Sequence, residues 1–352
     1  MSIIFAILIF SFLIFIHEFG HFFTAKLFGV KVNEFAMFMG PAIWKKQKGE
    51  TQYSIRCIPI GGYCAMEGEN EDTDSPRSFQ KASWWKRLII LVAGSFMNIL
   101  VGFLLVVIVN FFATVPTTQI ESLRSNSSLA WENNIQPGDV IVEINGMKLE
   151  RVSDFDLIMQ KHEGETEFDV LVVRDGKQVL VEDVTMIQQQ YEKDDEGEAG
   201  LFYGLTWATR NLSFAEVITT SWNDCVYFAK SIWMSLGMLI TGQAQIQDLS
   251  GPVGIVGIMN SVAAAAPSWT DALLNLLFFG AFIAVNLGVM NLLPIPALDG
   301  GRVFALLITT AIVKIRKKPI NPKFESYIHG AGMVLLLAFM AVIMLKDILM
   351  LF

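Results

Sequence analysis

The chain opens with apolar residues from Ser2 to Ile16 (SIIFAILIFSFLIFI), and the apolar character continues past His17 through Phe22, Phe23 and Ala25. About 24 such residues suffice to cross the roughly 30 Å hydrocarbon core of a bilayer as an α-helix. No basic segment precedes the run and no small-residue cleavage site follows it, so the pattern predicts a retained transmembrane helix over about 2–25. Three more apolar runs predict spans over about 88–112, 272–296 and 330–352. Trp84-Trp85-Lys86-Arg87 precedes the second, where interfacial anchors belong.

Between the spans the pattern changes. Tyr53 to Ala65 is rich in β-formers and broken by Pro59 and Gly61-Gly62, which predicts short strands around a turn inside a loop over about 31–66. Residues 67–78 are polar and acidic and read as a surface loop. Residues 115–188 alternate in strand fashion, with turn signals at Pro137-Gly138-Asp139, Asn145-Gly146 and Asp175-Gly176 and one short helix near 153–160. They predict a compact soluble α+β module, followed by a linker over 189–212. Residues 213–242 are amphipathic and interrupted by Asn223, Asp224 and Lys230, which favours a helix lying at the interface over a span. Residues 250–267 read as a loop and a short helix.

Composition agrees with this division. Of 352 residues, 53% are hydrophobic and only 17% charged, well below the charged fraction of soluble domains. The net charge of −8 is segregated: 113–210 carries 19 acidic and 8 basic residues, the remainder 15 and 18. Lys45, Lys46, Lys48 and Arg56 make the first inter-span loop basic, and Lys314, Arg316, Lys317, Lys318 and Lys323 do the same for the last. The positive-inside rule then puts loops 26–87 and 314–326 in the cytoplasm, and both termini and the 115–188 module outside. No dense basic charge is interleaved with aromatic platforms, so the sequence carries no nucleic-acid signal. Cys57, Cys64 and Cys225 are odd in number and lack CxxC spacing, and are read as small packing residues.

The chemistry starts at His17-Glu18-Phe19-Gly20-His21. Two histidines four apart share one helix face and can bind one zinc, while Glu18 points elsewhere and is available as a base. Such groups are costly at the centre of a bilayer, by roughly 3 kcal/mol for a charge, so they do not sit there idly. A catalytic zinc takes a third protein ligand and an open position. The candidate is Asp299, in Asn291-Leu292-Leu293-Pro294-Ile295-Pro296-Ala297-Leu298-Asp299-Gly300-Gly301. Its two prolines unwind the end of a span, and freed backbone at membrane depth persists only where it lines a protein cavity. The alternative role for Asp299 is N-cap of the next helix. With Asp299 as ligand, the first and third spans must pack together.

With HEFGH in the first span, NLLPIPALDGG in the third and Ile135-Gln136-Pro137-Gly138-Asp139-Val140-Ile141-Val142-Glu143-Ile144-Asn145-Gly146 in the module between, the chain resembles the site-2 protease family, in particular its bacterial RseP/RasP-type branch. The resemblance implies an α-helical membrane protein: a four-span metalloprotease core over 1–112 and 272–352, a membrane-associated β-hairpin and an inserted PDZ domain at 115–188. It implies that His17, His21 and Asp299 hold Zn2+, that Glu18 is the catalytic base, and that Asn291 helps hold substrate or the oxyanion. For Asn291 a helix-packing hydrogen bond is the competing role. The implied activity is zinc endopeptidase cleavage within the plasma membrane, on single-span proteins such as anti-sigma factors and leftover signal peptides. Where the family's second span often has Gly-Pro-x-x-Asn, this one reads Gly94-Ser95-Phe96-Met97-Asn98, without the proline. A silent PDZ adapter would have no need of Glu18, and a transporter would be expected to show internal repeats. The substrate, the PDZ ligand and the oligomeric state are not written in the sequence.

Overall fold

The computed structural model describes residues 2–69, 73–124, 127–131, 135–150, 152–191, 200–242, 251–266, 268–316 and 322–349. In chain order the elements are α1 (Ser2–Leu27), β1 (Val32–Lys48), β2 (Thr51–Met66), α2 (Trp84–Phe112), β3 (Thr114–Leu123), α3 (Ser128–Trp131), β4 (Val140–Ile144), β5 (Met147–Lys148), α4 (Val152–Lys161), β6 (Glu167–Arg174), β7 (Lys177–Thr185), β8 (Gln189–Tyr191), β9 (Gly200–Phe202), β10 (Leu205–Asn211), α5 (Phe214–Ile240), α6 (Pro252–Ala264), α7 (Trp269–Asn291), α8 (Asp299–Arg316) and α9 (Pro322–Leu349). They form two units, Met1–Val109 with Ile218–Phe352, and Asn110–Val217.

Among the described residues four helical stretches are long and apolar enough to cross a membrane: Ile7–Leu27, Trp84–Phe112, Trp269–Asn291 and Gly330–Asp347. The third stops at Asn291, short of the 296 expected, because Pro294 and Pro296 follow immediately. The fourth is the apolar part of α9, whose helix starts earlier, at Pro322, and whose last described residue is Leu349. Residues 317–321 of the last basic loop and 350–352 of the expected fourth span lie outside the described residues.

Glycines set how closely these helices approach. A Cβ on Gly20 of α1 would lie 2.5 Å from the Ala93 carbonyl oxygen of α2. A Cβ on Gly288 of α7 would lie 2.8 Å from the Ser95 carbonyl oxygen, and one on Gly102 of α2 would lie 2.7 Å from Val285. Small residues therefore bring α2 into near-backbone contact with both α1 and α7, as apolar surroundings favour. Leu13 of α1 packs with Ile283 and Ala284 of α7, so the first and third spans touch directly.

The loop after α1 is more regular than its sequence suggests. In place of short strands within 53–65 there are two long ones, β1 and β2, joined at Gly49-Glu50 and paired antiparallel. Phe35 pairs with both Tyr53 and Cys64, and Ala36 with both Ser54 and Tyr63. Each strand therefore bends, and segment 34–37 lies between 52–55 and 62–65. The bends fall at Phe38 (φ 72°) and Gly40 (φ 85°) in β1 and at Gly61 (φ 75°) in β2. Methionine, glycine and proline at 37–41 hide the alternation of β1 from a sequence reading. Phe35 and Tyr53 press the sheet onto Phe15 and Phe22 of α1, at ring distances of 5.8 Å and 5.9 Å.

Glu34 fastens the bent sheet. It accepts hydrogen bonds from Ser54 (2.6 Å), Arg56 (2.8 Å) and Tyr63 (2.8 Å), which lie on both flanking segments. Burial alone would raise this carboxyl, but those bonds outweigh it and hold it at about 2, while burial and Glu34 push the Tyr63 hydroxyl up to about 12.

α5 is a single 27-residue helix over the stretch expected to be amphipathic, and it is not among the four spans. It buries Cys225 and Phe228 against Val106, Ala281 and Val285, and leaves Trp222, Tyr227 and Trp233 exposed.

The second unit is a sheet in the order β10-β3-β4-β6-β7 with β5 beside β4. Ile141, Ile144, Phe168, Val170 and Val172 form its core with Phe155 and Ile158 of α4. The 189–212 stretch differs from the expected linker. β8 and β9 pair with each other, and β10 pairs with β3, returning the chain to the sheet it left. Trp207 and Tyr203 pack on Phe155, each 5.3 Å away, and this aromatic anchoring holds β10 in place. Residues 192–199 of that stretch are outside the described residues.

Candidate metal centre

α1 brings His17 and His21 to one face, with their rings 4.8 Å apart. After α7 ends, Pro294 and Pro296 carry the chain through a short irregular segment in which Ala297 adopts φ 89°. α8 then starts with Asp299 as its first residue. The Leu298 carbonyl takes up the N–H groups of Gly301 and Arg302, so the Asp299 carboxylate is not spent as a cap. It turns to the histidines instead. Asp299 Oδ2 lies 3.0 Å from His17 Nε2 and 3.3 Å from His21 Nε2, and the two Nε2 atoms are 3.2 Å apart. The three side chains are 12%, 9% and 18% exposed.

This triangle matches a metal ion. Ligand atoms about 2.0–2.2 Å from a tetrahedral zinc are themselves about 3.3 Å apart. His21 Nδ1 donates to the Ile90 carbonyl oxygen at 2.8 Å, which leaves its Nε2 with a lone pair facing the triangle. Asp299 Oδ2 is buried and accepts no hydrogen bond, although two ring nitrogens stand beside it. Lone pairs converging at this separation repel one another unless a cation lies between them. Two imidazoles and one carboxylate suit zinc and leave a fourth position for water or substrate.

α2 supplies further contacts to the two histidines. The amide of Asn98 lies 3.4 Å from His17 Nδ1, and its Oδ1 is buried without a hydrogen-bond partner. A ligating Nε2 requires Nδ1–H to donate, and with the amide turned over Oδ1 is the atom that accepts. Gly94, one turn earlier, faces both rings: a Cβ there would be 2.4 Å from His21 Nε2. The detectable signal was the four-residue spacing of Gly94 and Asn98, the same as that of the histidines they face.

Glu18 leaves the ligand face. Its Cγ lies 3.3 Å from where a Cβ on Gly62 of β2 would be, so the side chain runs between α1 and the bent sheet. It remains within electrostatic reach of Asp299 and the two histidines. Arg302, three residues after Asp299, is ion-paired with Glu69 just past β2. This pair ties the sheet to the helix that carries Asp299. Asn291 closes α7 half-buried and makes no hydrogen bond to His17, His21 or Asp299 among the described residues.

Comparison with known proteins gives a consistent picture. The model of peptidase family M50 matches residues 5–339. A Clostridium acetobutylicum protein, provisionally named a zinc metalloprotease, is 36% identical over 347 residues, covering 99% of this chain and 97% of its own length. The regulator of sigma-W protease RasP of Bacillus subtilis is 28% identical over 434 residues, covering 100% and 99%. The zinc metalloprotease RasP of Bacillus licheniformis is 29% identical over 435 residues, again covering 100% and 99%.

Proposed function

Because this chain belongs to peptidase family M50 and is a zinc metalloprotease of the membrane, we propose that it cuts peptide bonds inside the bilayer, in transmembrane segments of single-span proteins. The observation that carries this reading is the triangle of His17, His21 and Asp299 buried among helices apolar enough to cross a membrane. In the proposal those three residues hold the zinc and Glu18 is the base.

Bound zinc supplies Lewis acidity to the scissile carbonyl and lowers the pKa of water toward about 7. The protein does the rest. The Ile90 carbonyl and the Asn98 amide fix the tautomers of the two histidines. Glu18 takes the proton of the attacking water and delivers it to the leaving amine, the usual double duty of a general base. Asn291 holds substrate or the developing oxyanion. It ends its helix eight residues before Asp299, and substrate must bring a carbonyl to it.

A helical peptide bond is shielded by its own turns, so substrate must unwind. The 62–65 segment supports a way to do so. It flanks 34–37 on one side only, and its Gly62 lies against Glu18. A substrate strand added along that edge would be held extended at the level of the base. On the proposed topology the 115–188 PDZ domain and both termini lie outside the plasma membrane, the domain serving as a size filter or peptide-end reader, with loops 26–87 and 314–326 in the cytoplasm. The proposed substrates are anti-sigma-factor-like regulators and remnant signal peptides, consistent with a relative named for sigma-W regulation.

The test is cleavage of a labelled transmembrane peptide by purified protein, with and without a chelator, beside Glu18→Gln. Cleavage should require zinc, and Glu18→Gln should keep the metal while losing at least about 100-fold in rate. Wild-type protein that holds zinc and cuts nothing would end the protease reading, and a fully active Glu18→Gln would remove Glu18 as the base.

A further inference from the structure

The bent sheet carries a surface that the proteolytic site does not use. Contacts along α1 place it relative to the bilayer. Glu50, at the turn between β1 and β2, pairs with Lys26 at the end of α1. Tyr53 meets Phe22 edge to face, Phe35 meets Phe15 in the same way, and Gly62 sits beside Glu18 and Ile14. The sheet thus climbs from the mouth of the span to the level of Glu18, about 12 Å for eight helical residues. The outer segment of β1 follows the same gradient. Lys48, Lys46 and Lys45 pair with Thr51, Tyr53 and Ser54 near the mouth, and Trp44 pairs with Ile55 farther in. Beyond them Ile43 is 72% exposed, and Met39 and Ile58 are also exposed.

The charges there are unbalanced. Among the described residues every glutamate of the sheet and its flanks has a cationic partner elsewhere: Glu34 with Arg56, Glu50 with Lys26 and Arg77, Glu67 with Lys31 and Glu69 with Arg302. Lys45, Lys46 and Lys48 are exposed and have no acidic partner among the described residues. An open groove of about 320 Å³ runs between Trp44, Lys46, Lys48 and Tyr53.

We propose that this groove binds an anionic phospholipid, its phosphate between Lys46 and Lys48, its glycerol region against Trp44 and Tyr53, and its chains along Ile43 and Ile55. Lysines at the mouth of a span meet the headgroup layer, tryptophan meets the boundary beneath it, and exposed aliphatic side chains meet the acyl region. The lipid supplies the acidic partner that the fold leaves out, and it covers the outer edge of the sheet. The inference rests on this surface and not on the assignment of the proteolytic site.

The experiment is native mass spectrometry of the full-length protein in detergent, titrated with phosphatidylglycerol or phosphatidylcholine. Phosphatidylglycerol should be retained in preference to phosphatidylcholine. Lys46→Gln/Lys48→Gln should weaken its retention by about 25-fold, some fivefold per lysine, while Lys46→Arg/Lys48→Arg keeps it. Zinc content should be the same in all three proteins, which shows that the variants are folded. Retention of both lipids alike, or undiminished phosphatidylglycerol on the double glutamine variant, overturns the proposal. Glycerol phosphate should not compete. If it displaces the lipid at comparable concentration, the ligand is a soluble phosphate and the lipid assignment fails, and displacement by an acidic peptide would overturn it likewise.

Discussion

Gly94→Ala puts one methyl group at the point where α2 faces both histidines. Its Cβ would stand 2.4 Å from His21 Nε2 and 2.8 Å from Cε1 of each ring, whereas ordinary contact begins at 3.4 Å. Relief requires a ring displacement of about 1 Å. His21 resists it, because Nδ1 is bonded to the Ile90 carbonyl on the same helix α2. Ligand distances tolerate only about 0.2 Å, so the shift exceeds the tolerance about fivefold. Zinc affinity should fall by at least about 100-fold, near 3 kcal/mol. The assay is zinc content after dialysis against graded chelator, with thermal unfolding in detergent measured alongside. Gly237→Ala is the control, since nothing lies within 4 Å of a Cβ there. Glycine to alanine inside a helix normally gains up to about 1 kcal/mol, so the control should be stabilised with its zinc unchanged. If Gly94→Ala also binds zinc like wild type, the histidines do not hold the metal from this face and the reasoning is refuted.

Asn98→Ala should lower zinc affinity by about 10- to 100-fold and Asn98→Asp, which keeps an acceptor, by much less; equal losses in a chelator competition would show that no hydrogen bond to His17 is involved. For Glu34, whose carboxyl is depressed from 4.5 to about 2, the stabilisation is complete above about pH 5 and is lost as pH falls from 4.5 toward 2. Unfolding of wild type should therefore approach that of Glu34→Gln at low pH, and parallel pH profiles for the two would contradict this. Arg302→Ala and Glu69→Ala should each slow cleavage, and the double variant should be little worse than either, as for two ends of one contact. Additive losses in the cycle would mean that the pair does not link the sheet to α8.

How legible these features were depended on how far apart their parts lie. Spans were readable because twenty-odd apolar residues in a row have few alternatives, and His17 and His21 because a helix converts a spacing of four into one face. The third span was drawn too long because hydropathy continues through Leu292, Leu293 and Ile295, while the helix obeys Pro294 and Pro296. β1 was missed because its pairing depends on two bends, at Phe38 and Gly40, that no periodic pattern survives. β10 read as linker because its register against β3 is a contact across some 90 residues, and its anchors Tyr203 and Trp207 carry no local signal. The partners of the histidine Nδ1 atoms divide in the same way. Asn98 is a side chain with a spacing, whereas the Ile90 contact is a backbone carbonyl that any residue could provide.

The placement of Asp299 has a consequence for the life of the chain before it is complete. His17, Glu18 and His21 all precede Asp299 by about 280 residues, so on the proposed assignment the three-ligand set closes only when Asp299 has been made. On the proposed assignment a ribosome therefore makes the base and two ligands about 280 residues before the third. During that interval the proposed site is incomplete, and the growing chain would not hydrolyse its neighbours in the membrane. Separating the proposed ligands by this length of chain would delay the onset of proteolysis until α2 and α7, which wall the site, have been made.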